Sequence, residues 1–269
     1  MLLRLFVAVC LLSAVVPVAD AQGTGVAFRR AQHLRHGINM SEWFSQAAPD
    51  AQRLATYTTA DDIALVKRLG FDHVRMPVDP AIFLGCRGSW DECDNVKLFD
   101  TMVKKALSED LAVIVDIHPS SEFKQKVATS GEEVEKFGEL WRHIAARYKA
   151  YDPERVFFEV MNEPEDRDAY HWNGVQERIV REIHLVAPEH TVIVAGTMWS
   201  DIWNLAALQK LADTNVIYNF HYYEPHIFTH QGAGWSTARW RELEKIPYPA
   251  TEDILRAAEG AQKIGRAHV

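Results

Sequence analysis

The sequence predicts an α/β protein built around a parallel sheet, and two observations carry that prediction. Six short runs rich in Val, Ile and Phe alternate with longer stretches in which apolar residues recur every three or four positions. Runs that are apolar throughout are typical of parallel strands buried on both faces. Strands that alternate with helices form a parallel sheet with right-handed crossovers, which is either an open doubly wound sheet or a barrel.

Local signals place these elements in order along the chain. The predicted strands occupy residues 36–40, 72–76, 112–117, 156–161, 191–195 and 216–220. Thr59, with Asp62 three residues later, can cap a helix whose apolar face carries Ile63, Val66 and Leu69. Steps of three and four predict a second buried helix face, formed by Val134, Phe137, Leu140, Trp141, Ile144, Ala145 and Tyr148. No glycine-rich turn follows the first strand, which weakens the dinucleotide-binding version of the doubly wound sheet.

The two ends of the chain are predicted to lie outside the folded domain. Residues 1–4 form a short start with one basic residue, Arg4, and residues 5–16 are almost all apolar. Ala19-Asp20-Ala21 then fits a signal-peptidase site, so we expect residues 1–21 to be a secretory signal peptide. A membrane anchor is the alternative, but this apolar run is shorter than the roughly 20 residues that a spanning helix needs. We therefore expect a secreted or periplasmic protein, with no membrane association after cleavage.

The number of strand and helix units is six, whereas a closed eightfold barrel would need about 70 residues more. Residues 264–269, IGRAHV, can be encoded by an adapter commonly ligated in short-read DNA sequencing. We expect an incomplete barrel domain over residues 22–263 and a non-native tail over 264–269; a genuine polar tail is the alternative.

Two cysteines remain once the signal peptide is removed, Cys86 and Cys93. An oxidising compartment favours a disulfide between such neighbours, and two free thiols are the alternative. The chain has 37 acidic and 29 basic residues, a net charge of -8, which argues against a nucleic-acid partner. An uncharged substrate fits this balance.

Polar residues follow the apolar runs at several strand ends, where parallel α/β folds place their chemistry. If the sheet closes, these residues share one mouth: Arg75, His118, Asn162, Glu163, His221 and Tyr223. Glu163 at a partly buried strand end can have a raised pKa and act as a proton donor. Arg75 can instead be a structural ion-pair partner, and His118 and His221 can be hydrogen-bonded core histidines.

Five motifs on successive strands resemble glycoside hydrolase family 5, the cellulase family. They are Gly37-Ile38-Asn39, Val74-Arg75-Met76-Pro77, Asp116-Ile117-His118, Asn162-Glu163-Pro164 and His221-Tyr222-Tyr223. The resemblance implies a (β/α)8 TIM barrel, of which this chain has about six units. It also implies retaining hydrolysis of β-linked polysaccharide or oligosaccharide by two glutamates roughly 5 Å apart, without a metal or organic cofactor.

The resemblance also implies residue roles. Glu163 is the acid/base, Asn162 hydrogen-bonds the sugar 2-hydroxyl, and Arg75 lies near the nucleophile. His118 and His221 line the cleft, and Tyr223 positions the nucleophile. The family's nucleophile ends the seventh strand, which this chain does not reach; Glu224 follows the sixth strand and does not match. We therefore expect the fragment to be inactive.

Aromatic residues near the predicted mouth suggest sugar stacking. Trp43 and Trp199 follow the first and fifth strands, and we expect both to contact sugar; Trp235, in the loop after the sixth strand, is a weaker candidate. An endo-β-1,4-glucanase (cellulase) is the predicted activity. A β-mannanase or other β-glycanase of the family and a non-catalytic glycan-binding barrel are the alternatives. A metal-dependent hydrolase is disfavoured, because no early strand carries a His-x-His pair.

Overall fold

The structure is a computed structural model that describes residues 25–236 and 238–249, together with 251, 253, 254 and 256. The predicted signal peptide at 1–21 and the predicted tail at 264–269 lie outside the described residues. Between them the described chain forms one sheet with helices packed on its outer face.

Six parallel strands form an open half-barrel in which each strand pairs with the next one along the chain. The strands are β1 (Gly37–Asn39), β2 (His73–Val78), β3 (Ala112–Ile117), β4 (Val156–Glu159), β5 (Val192–Ala195) and β6 (Val216–Asn219). A doubly wound sheet reverses its strand order at a switch point, so the unbroken order favours the barrel. The α/β prediction and all six predicted strands are confirmed.

The described residues form twelve short or medium helices and a 3₁₀ turn at Trp90–Glu92. The helices are α1 (Val26–Ala31), α2 (Ala51–Tyr57), α3 (Ala60–Arg68), α4 (Ala81–Leu84), α5 (Asp94–Ser108), α6 (Ser121–Thr129), α7 (Gly131–Tyr148), α8 (Ala169–His184), α9 (Thr197–Ser200), α10 (Ile202–Ala207), α11 (His226–Thr229) and α12 (Ala238–Arg241). Thr59 and Asp62 form the predicted capping box of α3. The segment α9 is not a regular helix, because Met198 and Trp199 have left-handed backbone angles.

The main core lies between the outer face of the sheet and the helices. All seven residues of the predicted α7 face are buried. The indole N–H of Trp141 donates to the carbonyl of Val160 at 2.9 Å, which ties α7 to the end of β4. Leu69 is the exception on α3: it is 65% exposed, because it lies at the C-cap where the chain turns away from the core.

The inner face of the sheet has an apolar lower layer and a charged upper layer. Ala112, Ile114, Phe157 and Ile193 form a small buried cluster of their own, separate from the main core. Alternation along β3 and β4 then places Asp116 and Glu159 on this same inner face, nearer the carboxyl ends of the strands. Charged groups therefore form the upper end of the half-barrel interior.

A disulfide joins Cys86 and Cys93, as the sequence predicts. It closes the loop between α4 and α5 and packs against the main core. None of the described helices is long and apolar enough to span a membrane.

Candidate active site

A cleft of about 1110 Å³ opens at the carboxyl ends of the strands. Seven of the eight residues predicted to act on substrate line it: Arg75, His118, Asn162, Glu163, Trp199, His221 and Tyr223. The strand-end prediction thus converges on one site, with Trp43 as the exception.

The floor of the cleft is a buried charge cluster around Arg75. The guanidinium donates to both carboxylate oxygens of Glu159, from Nε at 2.7 Å and from Nη2 at 2.9 Å. Nη2 also lies 2.9 Å from Oδ2 of Asp116. Both carboxylates are nearly inaccessible, with side chains 0% and 2% exposed. Arg75 is therefore a structural ion-pair partner, the alternative that its sequence position left open, and it also lines the cleft.

Burial and neighbouring charges move the pKa values of this cluster in opposite directions. Burial and the like charge of Glu159 raise the pKa of Asp116, although Arg75 and His118 oppose the shift. Burial also acts to raise the pKa of Glu159, but the charge and hydrogen bonds of Arg75 outweigh it and the pKa is lowered. The pKa of Arg75 is raised by the two carboxylates against the opposing effect of its burial. The guanidinium therefore stays charged.

A chain of hydrogen bonds runs from this floor to the cleft wall. Nη2 of Arg75 donates to Oδ1 of Asn162 at 3.0 Å. Nδ2 of Asn162 lies 3.1 Å from Nε2 of His118, whose Nδ1 lies 3.1 Å from Oδ2 of Asp116. These contacts hold Asn162 and His118 in fixed orientations within the cleft.

Glu163 follows Asn162 and turns its carboxylate into the cleft. Its backbone is left-handed, with φ of 47°, a conformation that costs a non-glycine residue about 1–2 kcal/mol. Nδ1 of His221 lies 2.7 Å from Oε1 of Glu163, which joins the ends of β4 and β6. The carboxylate side chain is 25% exposed, so it remains accessible from the cleft.

The prediction that the pKa of Glu163 is raised is wrong for the described part of the chain. Burial acts to raise it, but the hydrogen bond and charge of His221, with the charge of Lys124, outweigh burial, and the pKa is lowered. Only the burial of Glu163 can be expected from its place in the sequence, because the contact with His221 depends on the meeting of two distant strands.

Tyr223 lies on the β6 side of the cleft, with its ring centroid 6.4 Å from that of His221. Burial and the charge of Glu163 raise the pKa of its phenol. The phenol therefore stays protonated and can donate a hydrogen bond.

The expectation for Trp43 is wrong: it is 1% exposed and belongs to the core. Its indole N–H donates to the carbonyl of Leu54 at 2.8 Å, and its ring packs 4.6 Å from that of Phe44. Helix α2 covers the ring of Trp43, and this contact cannot be predicted from the position of Trp43 after β1. Trp199, by contrast, is 54% exposed and lines the cleft.

Sequence reasoning missed several residues of the site. Asp116, Glu159 and Asn219 hold the cleft floor, and Nδ2 of Asn219 donates to Oε1 of Glu159 at 3.1 Å. A charged residue inside an otherwise apolar strand was the available signal for the two carboxylates. Trp203, 81% exposed, was also missed and lines the cleft beside Trp199. Trp235, the weaker of the predicted candidates for sugar contact, is 79% exposed and lines the cleft from the β6 side. Within the described part of the chain, no group of three His, Cys, Asp or Glu side chains could hold a metal ion.

Proteins of similar sequence include two curated bacterial enzymes. Cellodextrinase A of Ruminococcus flavefaciens is 32% identical over 209 residues, which cover 74% of this chain and 61% of that protein. Endoglucanase C of Acetivibrio thermocellus is 30% identical over 222 residues, covering 79% of this chain and 64% of that protein. The chain thus spans less than two thirds of the length of either relative.

Solved structures of similar fold include Thermotoga maritima Cel5A. Its complex with cellobiose superposes with a TM-score of 0.71 at 28% identity, covering 88% of this chain and 76% of that one. Its complex with mannotriose gives a TM-score of 0.70 at the same 28% identity and coverage of 88% and 76%.

The family model for cellulase, glycosyl hydrolase family 5, matches residues 20–258. That range includes every strand of the half-barrel and every residue of the cleft. The resemblance noted on five strand-end motifs therefore extends over most of the sequence, and the chain belongs to the cellulase family, glycosyl hydrolase family 5.

Proposed function

We propose that this chain is part of a retaining endo-β-1,4-glucanase in which Glu163 is the acid/base. The observation that carries the proposal is the place of Glu163, whose carboxylate lies in the cleft at 2.7 Å from His221 and beside the ordered amide of Asn162. A carboxyl group held there can protonate the leaving oxygen of a glycosidic bond and later activate water.

The second carboxylate of the mechanism is proposed to come from sequence beyond the described residues. The matched regions cover only 61% and 64% of the two relatives, so each relative contains sequence that this chain does not match. A nucleophile carboxylate about 5 Å from Glu163 would raise the pKa of Glu163, because two like charges at that distance disfavour joint ionisation. Without it, Glu163 stays ionised and cannot donate a proton, so we expect no hydrolysis from this chain alone.

The other residues of the cleft suit a neutral polysaccharide. Asn162 is proposed to hydrogen-bond the sugar 2-hydroxyl, and Tyr223 to donate to the nucleophile. The exposed ring of Trp199 offers a flat face on which a β-linked sugar can stack. This chemistry requires no cofactor. The basic and apolar N-terminal segment supports secretion as a further part of the proposal.

A β-mannanase is the second candidate, and one observation favours it: the similar Thermotoga maritima Cel5A has been solved with mannotriose as well as with cellobiose. A glycan-binding barrel without catalysis is the candidate from another class. Glu163 argues against it, since binding alone does not require a carboxyl group at that position.

The test is sugar release by the longer protein encoded at the source locus, expressed without residues 1–21. Carboxymethylcellulose and mannan are compared as substrates for the wild type and for Glu163→Gln. Glu182→Gln is the matched control, because Glu182 also pairs with a cation, Arg142, but lies on the outer helix α8.

We expect cleavage of carboxymethylcellulose that falls at least a hundredfold in Glu163→Gln and is unchanged in Glu182→Gln. Preferential cleavage of mannan would select the mannanase. Binding of both polymers without cleavage of either would favour the non-catalytic barrel, and rapid cleavage by Glu163→Gln would refute the role of Glu163.

A further inference from the structure

Two groups in the cleft floor have a fixed sense of hydrogen bonding. The guanidinium of Arg75 can only donate. Oδ2 of Asp116 lies 2.9 Å from the cationic Nη2 of Arg75, and this contact disfavours a proton on Oδ2, so the oxygen accepts hydrogen bonds whether or not the other carboxyl oxygen carries a proton. In a series of hydrogen bonds that links these two groups, the donor and the acceptor of each bond are therefore fixed.

The series of hydrogen bonds between Arg75 and Asp116 passes through Asn162 and His118. Because Arg75 donates to Oδ1 of Asn162 at 3.0 Å, the amide must turn Nδ2 toward His118. Nδ2 then donates to Nε2 of His118 at 3.1 Å, and Nδ1–H of His118 donates to Oδ2 of Asp116 at 3.1 Å. His118 is thus neutral and carries its proton on Nδ1.

We infer that Asp116 is a positioning residue that sets the tautomer of His118 and thereby makes Asn162 a hydrogen-bond donor toward the cleft. Asp116 is wholly buried and does not line the cleft, so it acts through His118 and not on a ligand. The oxygen of the Asn162 amide is already engaged by Arg75, which leaves the second N–H of Nδ2 for a ligand oxygen.

The backbone supports the same arrangement. The N–H of Asn162 donates to the carbonyl of Ile117 at 2.9 Å, and the N–H of His118 donates to the carbonyl of Val78 at 2.9 Å. The ends of β2, β3 and β4 are therefore joined at the residues that carry the side-chain network. The backbone bonds hold the strand ends together, and the acceptor for Nδ1–H of His118 is supplied by the side chain of Asp116.

The relevance of this donor to glycan binding rests on the proposed function, but the tautomer does not. The test uses this chain labelled with ¹⁵N-histidine, and long-range proton–nitrogen correlation spectra at neutral pH. The His118 signals are identified by their loss in His118→Gln. The variants are Asp116→Asn, which keeps an oxygen acceptor, and Asp116→Ala, which removes it.

The matched control is Asp100→Ala. Asp100 also pairs with an arginine, Arg147, at 2.5 Å, but on helices α5 and α7 outside the cleft. Its loss removes an arginine-paired carboxylate without touching His118.

The expected spectrum of the wild type has a pyrrole-type Nδ1 and a pyridine-type Nε2 at His118. Asp116→Asn and Asp100→Ala should retain it, and Asp116→Ala should lose it. A wild-type His118 protonated on Nε2 or on both nitrogens would overturn the inference, as would a folded Asp116→Ala with the wild-type signature. If Asp116→Ala does not fold, an Nε2–H tautomer in Asp116→Asn would also overturn it.

Binding of cellotetraose, measured by calorimetry on the same proteins, separates this inference from the proposed function. We expect Asp116→Ala to weaken binding about tenfold, the effect of one lost hydrogen bond, and Asp116→Asn to restore most of it. A wild type with the expected tautomer but no affinity for glycan would contradict sugar binding at Asn162 in this chain and leave the positioning role of Asp116 standing, while the proposed function itself is tested on the longer protein.

Discussion

Replacing Arg75 with alanine removes the cation that pairs with two buried carboxylates. Glu159 and Asp116 would then share the inner face of the half-barrel without a guanidinium, with side chains 2% and 0% exposed. Breaking a buried ion pair by removing one partner costs about 3–5 kcal/mol, because the remaining charge is left without compensation. We expect Arg75→Ala to lower the free energy of unfolding by this amount. Arg75→Lys keeps the charge but loses the bidentate contact with Glu159, and it should lower the free energy of unfolding by about 2 kcal/mol.

Urea denaturation followed by circular dichroism measures the effect of Arg75→Ala, with a shift of roughly 2 M in the midpoint expected. Arg142→Ala is the control: its partner is Glu182, the arginine side chain is 44% exposed, and about 0.2–1 kcal/mol should be lost. Equal losses in the two variants would refute the reasoning.

The pH dependence of this difference gives a second check. The pKa of Glu159 is lowered in the folded protein, chiefly through Arg75. A carboxylate with a lowered native pKa stabilises the fold above its ordinary pKa, and that contribution is lost as the pH falls through the native value. Arg75→Ala lacks the contribution at every pH, so its deficit relative to wild type should shrink on acidification. A deficit that grows at low pH would contradict the account.

Three further predictions concern the disulfide, two tryptophans and Glu163. Replacing Cys86 and Cys93 together with serine should lower the free energy of unfolding by about 2.5 kcal/mol for so short a loop, measured as a fall in the thermal midpoint. Trp43→Phe should lower the free energy of unfolding by about 1–2 kcal/mol and leave glycan affinity unchanged. Trp199→Ala should weaken glycan affinity about two- to tenfold without loss of stability. Loss of affinity in Trp43→Phe with unchanged stability would contradict the assignment of Trp43 to the core. Because the pKa of Glu163 lies below its ordinary value of 4.5, its ionised form stabilises the fold above that value and this stability is lost as the pH falls further. Thermal melts of Glu163→Gln should therefore show less acid destabilisation than wild type, and parallel curves would refute the shift.

The strands and the strand-end residues could be predicted because their signals are local. A run of β-branched and aromatic residues predicts a buried parallel strand whatever its neighbours are, and the residue after it lies at the same edge as its counterparts. For this reason Asn162, Glu163 and His221 were placed correctly in one cleft from sequence alone.

The errors lie where a contact between distant segments decides the outcome. Trp43 is buried because α2 folds over it, and its partner Leu54 is eleven positions away. The pKa of Glu163 is lowered because His221, 58 positions further along, reaches its carboxylate. The sequence shows Asp116 only as part of a strand-end motif and Glu159 only as a strand residue, since the arginine that pairs with both belongs to another strand.

The most direct test of the central claim compares two substrates of the longer protein carrying Glu163→Gln. Cellotetraose has a poor leaving group that requires a proton from Glu163, whereas 2,4-dinitrophenyl β-cellobioside has a leaving group that departs without one. We predict that the first step with cellotetraose slows by about 10²–10⁴, while release of dinitrophenol in the first turnover stays near the wild-type rate. Equal losses on both substrates would contradict the role of Glu163 as the proton donor.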